Sequence, residues 1–148
     1  MSAGADYAIG APVSWEAAVS AFAHAYGLPT DRVAVLSDAM LPWPDAEVIL
    51  HMVGNGHLPG DYPTQIVTWD GDDRTPDAIA RGVAIALGVP ILTGADTDDP
   101  QDMHLHLPDG TTHRVSVMQD DDDGIRNTPE MRRLIATAQG RLSAARAA

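Results

Sequence analysis

Cysteine and lysine are both missing from this chain, and each absence closes off chemistry. Without cysteine there is no disulfide framework, no thiolate metal site and no cysteine nucleophile. Without lysine no phosphate-binding loop of the G-x-x-x-x-G-K-[ST] type exists, although Gly54-Asn55-Gly56-His57-Leu58-Pro59-Gly60 supplies the glycines. That loop reads instead as a hairpin-like connector. No apolar run is long enough to cross a bilayer, and Met1–Ile9 lacks the basic start and apolar core of a signal peptide. A soluble cytoplasmic protein is the expectation. Aromatics are sparse as well: three Trp, three Tyr and one Phe.

Positive charge is scarce. There are 21 acids, 18 of them Asp, against nine arginines, for a net charge of −12. The imbalance is uneven along the chain. Residues 1–123 carry 20 acids and four bases, whereas residues 124–148 carry one acid and five bases. Such a body opposes direct nucleic-acid binding and raises encounter rates with basic partners. At 148 residues and 45% apolar content, one domain with a proper core is expected over 1–148.

The stretch 74–118 organises the rest. Thr75 suits an N-cap, with Pro76 at the first helical position and Asp77 against the positive end of the dipole. Ile79, Val83 and Leu87 give the stripe, and Gly88 stops the helix. Val89–Leu92 is a short buried strand. Leu107-Pro108-Asp109-Gly110 fits a type I turn with glycine in the left-handed position of a three-residue hairpin loop. That loop sets Leu107 opposite Thr111, Leu105 opposite His113 and Met103 opposite Val115. Met103, Leu105, Leu107, Val115 and Val117 then share a face with His113, while His104, His106, Thr112, Arg114 and Ser116 share the other. A three-histidine metal site would need a different register that mixes polar residues among the leucines, so His104 and His106 read as exposed and His113 as lining the core.

Upstream, residues 1–13 are small and polar and read as loose. Ser14 caps a helix with Trp15, Val19, Phe22 and Tyr26 as its stripe, ending at Gly27. Arg32–Leu36, Ala46–Val53 and Thr64–Trp69 read as strands. The stiff Leu41–Pro44 connection carries Trp43, either a core plug or an exposed anchor. Thr128-Pro129-Glu130 opens a last helix striped by Met131, Leu134, Ile135, Ala138 and Leu142, fraying over 143–148. The order is α-β-β-β-α-β-β-β-α, which predicts a single α+β domain: a mainly antiparallel sheet with three helices packed against it.

No nucleophile elbow, H-E-x-x-H or dinucleotide-binding motif is present, so no enzyme, cofactor or metal is expected. Gln119–Glu130 partly fits a Ca²⁺ loop, with Asp121, Asp123, Gly124 and Glu130 in register, but it opens on Gln and follows a strand. The acids gather in three segments: Asp70, Asp72 and Asp73; Asp96, Asp98, Asp99 and Asp102; and Asp120, Asp121, Asp122 and Asp123. Neighbouring strands would let these loops share one end of the sheet. Asp72, Asp73, Asp96, Asp98, Asp99, Asp102, Asp120–Asp123 and Trp43 are therefore the candidate partner-binding residues.

The segment Leu87-Gly88-Val89-Pro90-Ile91-Leu92-Thr93, an acidic loop and Leu105-His106-Leu107-Pro108-Asp109-Gly110 resemble small bacterial immunity proteins over about a third of the chain. The resemblance implies a cytoplasmic, non-enzymatic α+β protein that protects a cell from a toxin, and it carries over no catalytic residue. Composition and resemblance together predict a protein that occludes the cleft of a basic, nuclease-like toxin, with no membrane association. A phage-encoded DNA mimic, a Ca²⁺-binding module and an enzyme with an unrecognised site are the alternatives.

Overall fold

The structure, a computed structural model, describes residues 2–36, 45–70, 75–95, 97–120 and 122–147. The elements in chain order are β1 (Ser2–Ile9), α1 (Trp15–Tyr26), a 3₁₀ turn (Thr30–Arg32), β2 (Val33–Leu36), β3 (Val48–Gly54) and β4 (Thr64–Asp70). Then come α2 (Pro76–Leu87), β5 (Ile91–Gly94), β6 (Asp102–His106), β7 (Thr112–Ser116), the small ribbon β8 (Met118–Asp120) and β9 (Gly124–Arg126), and α3 (Pro129–Ala147). One seven-stranded sheet runs in the order β2-β3-β4-β1-β5-β6-β7. Only the β2–β3 pair is parallel. The α+β class and the α-β-β-β-α-β-β-β-α order hold, with β1 added in front and the β8–β9 ribbon inserted before α3.

Local chemistry sets the helix ends. The Ser14 side chain accepts from the Ala17 N–H and that of Thr75 from the Ala78 N–H, satisfying donors that the helices leave orphaned. Gly27 and Gly88 close the two helices in the left-handed conformation, both at φ 71°. α1 and α2 then pack closely side by side, since a Cβ on Gly82 would stand only 3.0 Å from that of Ala25. On α1, Ala18, Ala21, Phe22 and Tyr26 are buried, and Trp15, expected on the apolar stripe, is left 39% exposed.

The core lies on both sides of the sheet. α1 and α2 cover one face, where Tyr7, Ile9, Leu50, Ile66 and Ile91 are buried. α3 covers the other, over Leu92, Leu105, Leu107 and Val115. The hairpin register is the one read from the turn: Met103 pairs with Val115, Leu105 with His113 and His106 with Thr112. The Leu107 N–H donates to the Thr111 carbonyl at 2.9 Å, and Gly110 sits at φ 87°.

Two terminal expectations need correction. Residues 1–13, read as loose, contain the central strand β1, hydrogen-bonded to β4 over nearly its whole length. Its sequence has weak strand character, so the partner edges and the burial of Tyr7 and Ile9 decide its state. Residues 143–148, read as fraying, continue α3 as far as Ala147, on alanine and arginine with high helix propensity.

Glycine placement yields a first test. Gly124 has φ 67°, and a Cβ there would collide with the carbonyl oxygen of Pro59, where the β8–β9 ribbon docks on the Pro59–Asp61 loop. Gly140 lies inside α3 with open space around it. In urea denaturation, Gly124→Ala is expected to cost at least about 1–3 kcal/mol. Gly140→Ala is expected to raise stability by about 0.5–1 kcal/mol.

Candidate functional site

Two features meet where α2 begins. The first is a hydrogen-bonded cluster under the helix. Pairing of β5 with β6 sets Thr93 beside His104 and Ile91 beside His106, so all four point to the face that α2 covers. Asp77, in the first turn of α2, reaches down onto this row. The Thr93 hydroxyl donates to Asp77 Oδ1 at 2.7 Å, and His104 Nδ1 lies 2.8 Å from Asp77 Oδ2. His106 Nε2 is 2.9 Å from Thr93 Oγ1 and 3.3 Å from Asp77 Oδ1, while its Nδ1 meets Thr112 Oγ1 at 3.0 Å.

These distances assign the protons. Thr93 gives its hydroxyl hydrogen to Asp77, so its oxygen accepts from His106 Nε2–H. His106 Nδ1 then accepts from the Thr112 hydroxyl. Burial lowers the pKa of His106 to about 4, outweighing the attraction of Asp77. The imidazole is therefore neutral at pH 7, and its close approach to Asp77 is no ion pair. For Asp77, burial pushes the carboxyl pKa up, yet the Thr93 hydroxyl and the two imidazoles hold it below the usual range. His104 donates Nδ1–H to Asp77 and leaves Nε2 without a hydrogen-bond partner among the described residues, with 29% of the side chain exposed. A histidine whose Nδ1 is held by a carboxylate in this way can serve as a general base through Nε2.

A second polar group lies at the same end of the sheet, where the Tyr26 hydroxyl donates to buried Asp70. Burial and this hydrogen bond push the Tyr26 phenol well above its ordinary range.

The second feature is a split in the sheet. Among the described residues β1 and β5 pair only at Ala8–Leu92 and Ile9–Ile91. Beyond those rungs a cavity of about 470 Å³ opens, lined by Ala5, Asp6 and Ala8 on one side and by Leu92, Thr93 and Gly94 on the other. Pro76, Met103, Gln119 and Ile125 also line it. Thr93 belongs to both features, so the cavity and the cluster are contiguous.

The acidic segments can be placed against this cavity. Gly94 and Met103, both on its wall, bound the loop that carries Asp98, Asp99 and Asp102. Gln119 and Ile125, on another wall, bound the turn with Asp120, Asp122 and Asp123. Two acidic loops therefore leave from one rim. Asp72, Asp73, Asp96, Asp121 and Trp43 lie outside the described residues, although Pro76, just after the first acidic segment, also lines the cavity.

The described acids are not equivalent. Asp102 pairs with Arg114 at 3.2 Å, and Asp123 approaches Arg126 at 3.7 Å. Asp98, Asp99, Asp120 and Asp122 have no basic partner among the described residues. Asp99 accepts from the Gln101 N–H and Asp120 from the Asp122 N–H, so these carboxylates shape their own turns.

Sequence reasoning missed the cluster and mislocated one of its members. His106, read as exposed, is fully buried beneath α2. His104 is partly covered, and His113 lies across the sheet against the Thr111 hydroxyl at 3.0 Å. A polar Thr93 ending a buried strand, with Asp77 inside the first turn of the preceding helix, was the available signal. The partial Ca²⁺ pattern falls on the β8–β9 hairpin, and among the described residues no group of three or more His, Asp or Glu is placed to hold a metal ion. Among the described residues no helix is long and apolar enough to cross a membrane. No family model, curated protein or solved structure matches the chain.

The buried imidazole makes stability depend on pH. The folded pKa of His106 lies below the ordinary 6.5, so the unfolded chain takes up a proton that the folded one refuses. Stability is complete above the unfolded value and drains away as pH falls toward about 4. From pH 7 to about 4.5 this group alone is expected to cost on the order of 2 kcal/mol. Asp77 adds its own loss at still lower pH, as its carboxyl is protonated. In His106→Gln, neutral throughout, the loss between those two pH values should shrink by that amount in chemical denaturation. An equal loss in both proteins would show that the imidazole is not buried neutral.

Proposed function

We propose that this chain is a non-enzymatic, acidic binding protein of the cytoplasm that neutralises a basic protein partner, as the immunity protein of a toxin does. The observation that supports the reading best is the shared rim: the loops with Asp98 and Asp99 and with Asp120 and Asp122 spring from the walls of one cavity, with no basic residue among its described lining side chains. Carboxylates held close together repel one another, and a basic partner relieves that repulsion. In a nuclease-like toxin the aspartates would stand where phosphates bind, and long-range attraction would speed capture.

The test is kinetic. The basic protein that co-purifies with the tagged chain should be toxic when expressed alone and harmless when this chain is co-expressed. Changing Asp98, Asp99, Asp120 and Asp122 together to Asn should slow association at low salt by about tenfold or more and flatten its salt dependence. The fold should survive, because exposed charges contribute little to stability. An unchanged association rate at low salt would refute the reading.

The Asp77–His104 pair favours a second reading, a hydrolase in which His104 Nε2 activates water. A screen of small ester and phosphodiester substrates at mildly alkaline pH should then show turnover that is lost in His104→Ala and Asp77→Asn. Turnover that survives both substitutions, or none at all, would exclude it.

A further inference from the structure

We propose that the cavity between β1 and β5 receives an arginine side chain of the basic partner. The inference rests on the binding reading above and names the contact at its centre. Its volume of about 470 Å³ falls within the range of about 300–1,000 Å³ typical of small-ligand sites, so a side chain with its flanking backbone fits. Its walls are largely apolar, from Ala8, Leu58, Leu92 and Met103, and suit the weakly hydrated face of a guanidinium better than a compact ammonium. Among the described lining residues Asp6 is the only charged side chain. Gln65 Nε2 lies 3.5 Å from Asp6 Oδ1, at the limit of a hydrogen bond, so the carboxylate keeps acceptor capacity for a fork of N–H donors. Gln65 and Gln119 add amide oxygens on the same walls.

Charge complementarity selects this occupant. An anion would enter past two acidic loops to meet a carboxylate. A neutral apolar group would gain nothing from Asp6 or from the amides. A guanidinium matches the walls, the acceptor and the field together. The loops would supply attraction at a distance, and the cavity would supply the short-range lock that slows dissociation.

The probe is N-acetyl-arginine methylamide, titrated into the ¹⁵N-labelled full chain, with the citrulline analogue as its neutral isostere. Saturable shifts should centre on the amides of Asp6, Gly94, Met103 and Gln119, at millimolar affinity, with no saturation by the citrulline compound. Asp6→Asn, at an exposed position that leaves the fold intact, should weaken binding by about tenfold or more. Ala8→Leu, which fills the cavity, should abolish it, provided that circular dichroism shows a native fold. Equal response to both analogues, or silence at the cavity amides, would overturn the proposal.

A nona-arginine peptide separates the two readings. If it binds with strong salt dependence while the single-arginine probe leaves the cavity silent, the cavity inference fails and the acidic-surface reading stands. If neither binds, both fail.

Discussion

Among the described residues the seven-stranded sheet is joined at its middle by two paired rungs between β1 and β5, extended by one hydrogen bond from the Gly10 N–H to the Pro90 carbonyl, and most of what is distinctive in this molecule follows from that short join. Ile9 and Ile91 are buried beneath α1 and α2, while Ala8 and Leu92 face the core on the α3 side. These are the rungs at which apolar packing covers both faces. One core gathers under α1 and α2, which between them reach from β2 across to β5 and β6, and a second gathers on the opposite face under α3. Past Ala8 and Leu92 nothing among the described residues closes the gap, and the strands diverge. The cavity is what divergence leaves, and loops that enter or leave neighbouring strands there become its rim.

The same end of the sheet holds the first turn of α2, and Asp77 acts as its tether. One carboxylate joins the helix to β5 through Thr93 and to β6 through His104, with His106 filling the space between. Attraction to Asp77 favours a charged His106, and burial opposes it. Burial wins, so His106 stays neutral and the helix start is tied down by hydrogen bonds to one carboxylate, not by a His106–Asp77 ion pair. A lone buried carboxylate would be costly. Here two hydrogen-bond donors reach it from the strands below, and partial exposure supplies water.

What was legible in the sequence was local. Thr75-Pro76 and Gly88 bound α2, Ser14 and Gly27 bound α1, and Leu107–Gly110 fixes the hairpin register, because each signal acts within a few residues of its effect. Strand β1 was not legible. Ser2–Ile9 has two large apolar residues, and its pairing is decided by edges that the rest of the chain provides. His106 was misread for a related reason. Alternation shows which residues share a face of β6, and that grouping was correct. Whether water or a helix lies over the face depends on where α2 crosses, which no stretch near His106 records. The cavity is further out of reach, since its walls come from β1, β5, β6 and the β8–β9 ribbon at once.

The acidic loops show how a chain at −12 tolerates its own charge. Asp99 and Asp120 accept from N–H groups of their own turns, so the repelling carboxylates also stabilise the turns that hold them. Asp109 illustrates the other solution. Its side chain is only 6% exposed, and burial pushes its pKa up, but the Thr111 hydroxyl, the Thr111 N–H and Arg141 of α3 hold it below the usual range. An acid that ties the hairpin to α3 is thus matched by an arginine, whereas the rim acids Asp98, Asp99, Asp120 and Asp122 are matched by none among the described residues. Arginine also meets Asp102 and Asp123 near the rim, through Arg114 and Arg126, yet these four rim carboxylates stay unneutralised among the described residues. That distribution leaves the negative field of the rim directed outward, because pairing those four acids internally would have cancelled it.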